Sequence, residues 1–266
     1  MAGRSTPAHF AFQSHGVRYL LDLPGSADFA HLDPHLPPDW RPARGTRFDH
    51  HYLVEQSADD AEFVLVRDGD VLVRRRDPDA LLEILETDIR FTVSLAAPRR
   101  TFIHAGVVGW KGTAILLPGR SRAGKSTLVA ALVEAGATYY SDEFAVLDRL
   151  GRVHPFQKSI SMRNEDGTPA REVPLNELGA EVGEGPLPVG LVAFTNYEAG
   201  ARWAPMTLAP AQAMLRLLQH TMAARKRPEA IFPVLKRVAV GARALSGERG
   251  ATETVVPALL AAAGHA

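Results

Sequence analysis

The sequence predicts an α/β chain built on a mixed sheet, and three consecutive runs of residues carry that prediction. Thr113-Ala-Ile-Leu-Leu117 is a short apolar run of the buried-strand kind, ended by Pro118. Gly119-Arg-Ser-Arg-Ala-Gly-Lys-Ser126 comes directly after it. Thr127–Ala135 then carries a helical pattern, with Gly136 placed to cap its C-terminus. A strand, a glycine-rich loop and a helix in this order put backbone N–H groups at a helix N-terminus, where an anion is favoured.

The octapeptide matches G-x-x-x-x-G-K-[ST], a phosphate-binding loop. Its backbone donors converge on phosphate oxygens, the lysine ammonium reaches the β- and γ-phosphates, and the hydroxyl is placed to hold Mg²⁺. Lysine is scarce in this chain: Lys111, Lys125, Lys158, Lys226 and Lys236 complete the set. A chance match is therefore rare, roughly a few in a thousand. The expected cofactors are ATP and Mg²⁺. The residues expected to hold the nucleotide are Gly119, Arg120, Ser121, Arg122, Ala123, Gly124, Lys125, Ser126 and Thr127.

Composition narrows the setting. The chain has 266 residues and a formal net charge of zero with the signs mixed, so no basic footprint argues for nucleic acid. There is no cysteine, which excludes disulfides and thiolate metal sites. Residues 1–39 are polar and proline-rich rather than a secretory leader, and the apolar runs fall short of a membrane span. A cytoplasmic protein is expected, with no membrane or nucleic-acid partner.

The pattern divides the chain into two modules. Residues 1–98 read as a smaller α+β module. Phe10–Phe12 and Val17–Leu23 are strand candidates, and prolines at 24, 34, 37, 38 and 42 interrupt the stretch after them. Glu62–Val66 and Val71–Val73 flank Arg67-Asp-Gly-Asp70, a hairpin signal. Leu81, Leu82, Leu85, Ile89 and Val93 repeat at helical spacing, and Pro98 closes the segment. Residues 99–266 hold the loop. Phe102–Val108, a turn at Trp110-Lys-Gly112, and the strand at 113–117 form a hairpin that feeds it. Ala137–Tyr140 reads as a strand, Phe144–Leu147 and Val153–Phe156 as a second hairpin, 164–188 as a polar loop region, and Val189–Phe194 as a strand. Gln212–Thr221, Pro228–Val240 and Glu253–Ala263 are expected helices.

Phosphoryl transfer needs a carboxylate to hold metal or to orient the nucleophile. Asp142 and Glu143 lie 17 and 18 residues after Lys125, at the end of the next expected strand. Strand ends in open α/β sheets are where ligands gather, so the pair is expected to face the triphosphate. His104 precedes Lys125 by 21 residues, within an apolar strand where a histidine is often simply a core residue.

These residues resemble a family. Phe-Ile-His104-Ala-Gly-Val-Val, a hairpin, Gly119–Ser126, Gly136-Ala137 and Ser-Asp142-Glu143 look like the catalytic core of HPr kinase/phosphorylase, a family of the phosphoenolpyruvate-carboxykinase-type fold. The match spans about residues 100–163. Pro155–Arg163 and Val189–Tyr197 are similar to the HPr-kinase-like proteins found outside sugar regulation, while residues 1–98 do not resemble the N-terminal domain of the true HPr kinases. The resemblance implies catalytic roles for His104, Lys125, Asp142 and Glu143, with Ser126 and Asp142 holding the metal. Glu143 stands where the family has an Asp that acts as general base. The family's metal-site Glu corresponds to Ser161, and its phosphorolysis Arg has no counterpart in Ala209-Pro-Ala-Gln212. Both departures argue against phosphorolysis and against HPr as the acceptor.

Other residues carry less. Lys158 and Arg163 are candidate triphosphate contacts. Asp148 reads as structural. His50-His51 suggests metal until their opposite directions in a strand are considered. Arg74–Arg76 and Arg225–Arg227 read as solvated basic runs, and Trp40, Trp110 and Trp203 are too scattered to form a stacking platform. The leading expectation is an ATP-dependent kinase acting on a hydroxyl of a peptide, protein or small molecule. A regulatory or scaffolding nucleotide-binding protein is the alternative, and a carboxykinase-like metabolic enzyme a third. The acceptor, ATP against GTP, and homo-oligomer against monomer remain open at the level of sequence.

Overall fold

The computed structural model describes residues 8–24, 32–57, 62–119, 124–162 and 171–264. The chain is mixed α/β and divides into two compact units, residues 1–99 and 100–266.

In the first unit, β1 (Ala8–Ser14), β2 (Val17–Leu23), β3 (Arg41–Pro42), β4 (His50–Gln56), β5 (Phe63–Arg67) and β6 (Asp70–Arg75) form one sheet in the order β3-β1-β2-β4-β5-β6. All pairs are antiparallel except β2 with β4. Val17–Leu23 is a strand as expected, the candidate at Phe10–Phe12 extends to Ala8–Ser14, and the two form a hairpin turning at His15-Gly16. Alternation explains it: Val17, Tyr19, Leu21 and Leu23 are buried, with less buried residues between them. Helix α1 (Pro78–Ala96) starts at Asp77, whose side chain accepts from the Asp79 amide, with Pro78 at the first position. Its buried side includes Leu81, Leu85, Ile89 and Val93. Asp88 on this helix accepts from Tyr52 Oη at 2.6 Å and from Arg67 at 2.7 Å, so the sheet and helix are tied by polar as well as apolar contacts. His50 bonds Asp68 and His51 bonds Asp22, each at 2.8 Å, so the histidine pair is divided between two carboxylates.

The second unit contains β7 (Thr101–Trp110), β8 (Thr113–Pro118), α2 (Lys125–Glu134), β9 (Thr138–Ser141), β10 (Phe144–Leu147), β11 (Arg152–His154), β12 (Ile160–Met162), β13 (Arg171–Val173), β14 (Leu187–Tyr197), β15 (Met206–Thr207), α3 (Pro210–His220), α4 (Pro228–Gly241), β16 (Arg243–Arg249) and α5 (Thr252–Ala263). The main sheet runs β11-β10-β7-β8-β14-β16-β15, with β9 also on β7. The ten-residue β7 is long enough to pair β10 along its first half and β9 along its second. β8, β14 and β16 are parallel neighbours.

Each face of this sheet buries its own set of side chains. Ala114, Leu116, Val192 and Phe194 pack with Ala213 and Leu217 of α3 and Ile231, Val234 and Leu235 of α4. Ile115, Leu117, Leu191 and Ala193 pack on the opposite face with Leu128 and Leu132 of α2 and Val255 and Leu259 of α5. A strand covered on both faces reads as a continuous apolar run, which is why Thr113–Leu117 looks as it does. Two expectations need correction. The polar region 164–188 includes β13, a three-residue strand too short and too charged to show alternation, paired with β12. Residues 243–249, given no element by sequence, form β16, flanked by β14 and β15.

Candidate functional site

Ligands of open α/β sheets bind beyond the carboxyl ends of parallel strands. Here those ends carry Pro118-Gly119, Tyr197 and Arg249, and Tyr197 is the register partner of Arg249. Helix α2 begins in the same place. Its N-cap is Gly124, with φ 72°, a left-handed conformation that glycine adopts without steric cost. The first intrahelical bond is Leu128 N–H to Gly124 C=O at 3.2 Å, so the amides ahead of Leu128 lie outside the helical ladder. Arg120, Ser121, Arg122 and Ala123 lie outside the described residues.

Lys125 is the first residue of α2 and only 9% exposed. Burial pushes its ammonium down to about 8, against the opposing pull of Asp142 and Glu143. Ser126, next on the helix, donates through Oγ to Asp142 Oδ2 at 3.0 Å. Asp142 is 5% exposed and comes just after the last residue of β9. Its other oxygen, Oδ1, accepts from Tyr139 Oη at 3.2 Å and lies 3.3 Å from Lys158 Nζ. The structure thus brings Lys125, Ser126, Asp142 and Lys158 together, and adds Tyr139. Buried, and beside the carboxylate, the Tyr139 phenol is held strongly protonated and so acts as a donor.

Glu143 sits next to Asp142 in the turn between β9 and β10. Its amide is held by Ser141 Oγ at 3.1 Å, and its carbonyl accepts from Ala105 N–H at 3.0 Å. That places it beside β7, where Phe144 is the partner of His104. His104 is half-buried, and its carbonyl accepts from Gly119 N–H at 3.2 Å, which ties β7 to the start of the loop. Burial, then the Lys125 and His220 charges, depress the imidazole to about 4, and a hydrogen bond with the Gly119 backbone opposes the shift. His104 is therefore neutral near pH 7. Thr127, the third helical residue, is exposed.

Asp148 has the structural part expected of it, and the 209–212 segment lies outside the site. Asp148 accepts from the Leu150 and Arg152 amides, the Arg152 side chain and His154, and so closes the β10–β11 turn. Ala209-Pro-Ala-Gln212 is the N-terminus of α3, with Gln212 Oε1 accepting from the Ala209 amide. Arg163 and the side chain of Ser161 lie outside the described residues. Among the described residues no group of three or more His, Asp or Glu side chains is placed to hold a metal, and no helix is long and apolar enough to cross a membrane. An open cleft of about 830 Å³, lined by Trp110, Lys111, Tyr140 and Glu181, opens at the Lys111-Gly112 turn, at the opposite end of β8 from Gly119.

One residue of the site was not legible in the sequence. Arg249, the last residue of β16, is 2% exposed. Its Nη2 donates to Gly124 C=O at 2.8 Å, and the guanidinium stands 5.5 Å from the centre of the Tyr197 ring. No protein-family model matches the chain, and no curated protein matches it significantly.

Proposed function

We propose that the chain is an ATP-dependent kinase of the HPr-kinase-like type, with a P-loop core of the phosphoenolpyruvate-carboxykinase type. It transfers the γ-phosphoryl group of ATP to a hydroxyl of a peptide, protein or small molecule. The observation that carries the reading is the meeting of Lys125, Ser126 and Asp142 at the start of α2. A cation for phosphate and two oxygen donors for metal stand together at a helix N-terminus, beyond the ends of parallel strands.

Mg²⁺ suits this donor set. Both donors are hard oxygens, the class Mg²⁺ prefers, and they stand 3.0 Å apart at the start of α2. Ser126 and Asp142 would hold the ion, with waters and phosphate oxygens as its other ligands. Held there, Mg²⁺ would supply positive charge to offset the charge that develops on the phosphates during transfer.

The chain's own residues supply the rest. Lys125 binds the β- and γ-phosphate oxygens, and binding restores the full charge that burial weakens. Lys158 and Tyr139 hold Asp142 Oδ1, which leaves Oδ2 directed at Ser126. Glu143 accepts the acceptor's hydroxyl proton as its oxygen bonds to the γ-phosphorus. The bond from that phosphorus to the bridging oxygen breaks, and ADP leaves with the bonding pair. His104, neutral, orients the Gly119 end of the loop and adds no charge. Phosphorolysis is not part of the proposal.

A second reading, a regulatory nucleotide-binding protein that phosphorylates nothing, is favoured by one contact. Lys158 is paired with the carboxylate that would serve the metal. Incubation of the protein with γ-labelled ATP, Mg²⁺ and a cell lysate separates the two. The kinase reading expects label in an acceptor, lost in Glu143→Gln. Tight ATP binding with no labelled acceptor in any fraction would select the regulatory reading.

A further inference from the structure

Among the described residues, Arg249 is a buried cation with no anion beside it. Its Nη2 donates to Gly124 C=O at 2.8 Å and its Nη1 to Gly250 C=O at 3.3 Å. Among the described residues Nε is buried without an acceptor, and the guanidinium's bonds go to carbonyls rather than to a carboxylate. The Tyr197 ring, 5.5 Å from the guanidinium, attracts the cation but carries no net charge to balance it. Taking a charge out of water without a counter-charge is costly, and such groups are normally paired. The location of the charge explains the cost. Gly124 is the N-cap of α2, and Nη2 bonds the same carbonyl that starts the helical ladder.

Gly124 itself is shaped for this contact: a Cβ there would sit 2.5 Å from Nη2. The guanidinium therefore occupies the space that any other residue's side chain would fill. Its bond fixes the direction of the N-cap carbonyl, and the direction of the succeeding amides is set with it. Its charge adds to the positive end of the helix from within the protein, where water screens it little.

We infer that Arg249 is a positioning residue of the phosphate site and that the phosphates of the bound ligand supply its missing counter-charge. This inference rests on the reading of the α2 N-terminus as a polyphosphate site and adds that affinity there depends on ligand charge through Arg249. It also assigns β16 a part in the site. The strand brings to the start of α2 a cation that lies 124 residues from Lys125 in sequence.

The test uses the full chain and four probes: ATP, ADP, AMP and inorganic tripolyphosphate, titrated into wild type, Arg249→Gln and Arg249→Lys. Wild type is expected to bind ATP and tripolyphosphate. Arg249→Gln should lose about 10–100-fold in affinity for both, the scale of one charge-assisted contact, with a smaller loss for ADP and the least for AMP. Arg249→Lys keeps the charge and should recover most of the loss. Equal losses across the four probes would reduce Arg249 to a structural residue and overturn the inference. So would unchanged affinity for ATP in Arg249→Gln. If Arg249→Gln does not fold, Arg249→Lys decides: affinity that tracks ligand charge as in wild type supports the inference, and a uniform loss overturns it. Failure of wild type to bind any probe would instead overturn the phosphate-site reading itself.

Discussion

Lys125 is a buried cation whose charge is only partly present in the free protein above neutral pH. With the ammonium pushed down to about 8, a fraction is neutral in mildly alkaline solution. Phosphate oxygens favour the charged form, so the group takes up a proton when nucleotide binds. The sign is then fixed: the lysine's contribution to affinity is complete below pH 8 and is lost as pH rises through the higher value of the complex. Calorimetric ATP titrations at about pH 8.5, in buffers of different ionisation enthalpy, should show net proton uptake. Lys125→Arg, charged throughout, should show none from this group. The same uptake in both proteins would place the titrating group elsewhere. Asp142 and Glu143, adjacent in sequence, are predicted to differ in effect. Asp142→Asn should leave nucleotide bound while sharply raising the Mg²⁺ concentration required for it to act. Metal dependence unchanged from wild type would move the ion to other ligands. Glu143→Gln keeps the size and removes the base, so turnover should fall by about 10²–10⁴ with ATP affinity nearly intact. Transfer at the wild-type rate would assign the proton to another group.

Between elements, α2 lies close on β7. Gly106 permits that approach, because a Cβ there would meet Val129 Cγ2 at 2.6 Å. Valine is stiff at χ1, so the methyl cannot swing aside cheaply. Gly106→Ala should cost about 1–3 kcal/mol of stability, and Val129→Ala in the same chain should recover part of it. Strictly additive losses in denaturant melts would mean the two residues do not meet. The elements that a sequence reveals are those that carry their own pattern. β8 is an apolar run bounded by Pro118 and a glycine-rich loop, and α1 and α4 repeat apolar residues at helical spacing, so all three are readable. β16 is Arg-Ala-Leu-Ser-Gly-Glu-Arg249, with two buried apolar residues and no β-branched one. It is a strand because β14 and β15 flank it and the helices behind it cover Leu245. Tertiary context, which no local window contains, decides such a segment. Arg249 was hidden for the same reason.

At the scale of the whole chain, the parallel trio β8, β14 and β16 gathers residues from positions 119, 124–126, 197 and 249 beyond one sheet edge, and the antiparallel β7, β9 and β10 bring His104, Asp142 and Glu143 beside them. The local part of this site, Lys125 to Glu143, was legible because a short helix–strand path keeps its residues within 19 positions. The parts supplied by distant crossovers were not. The acidic pair also shows what spacing cannot resolve: Asp142 is fixed by Ser126 and Tyr139, whereas Glu143 is held through its backbone by Ser141 and Ala105. These converging groups are proposed to bind a nucleoside triphosphate with Mg²⁺. Titration of the full chain with ATP in the presence of Mg²⁺, beside Lys125→Ala, tests that proposal most directly. Saturable one-to-one binding is predicted, weakened in Lys125→Ala by about 2–3 kcal/mol with the fold intact. Equal affinity in the two proteins, or no binding to wild type, would contradict it.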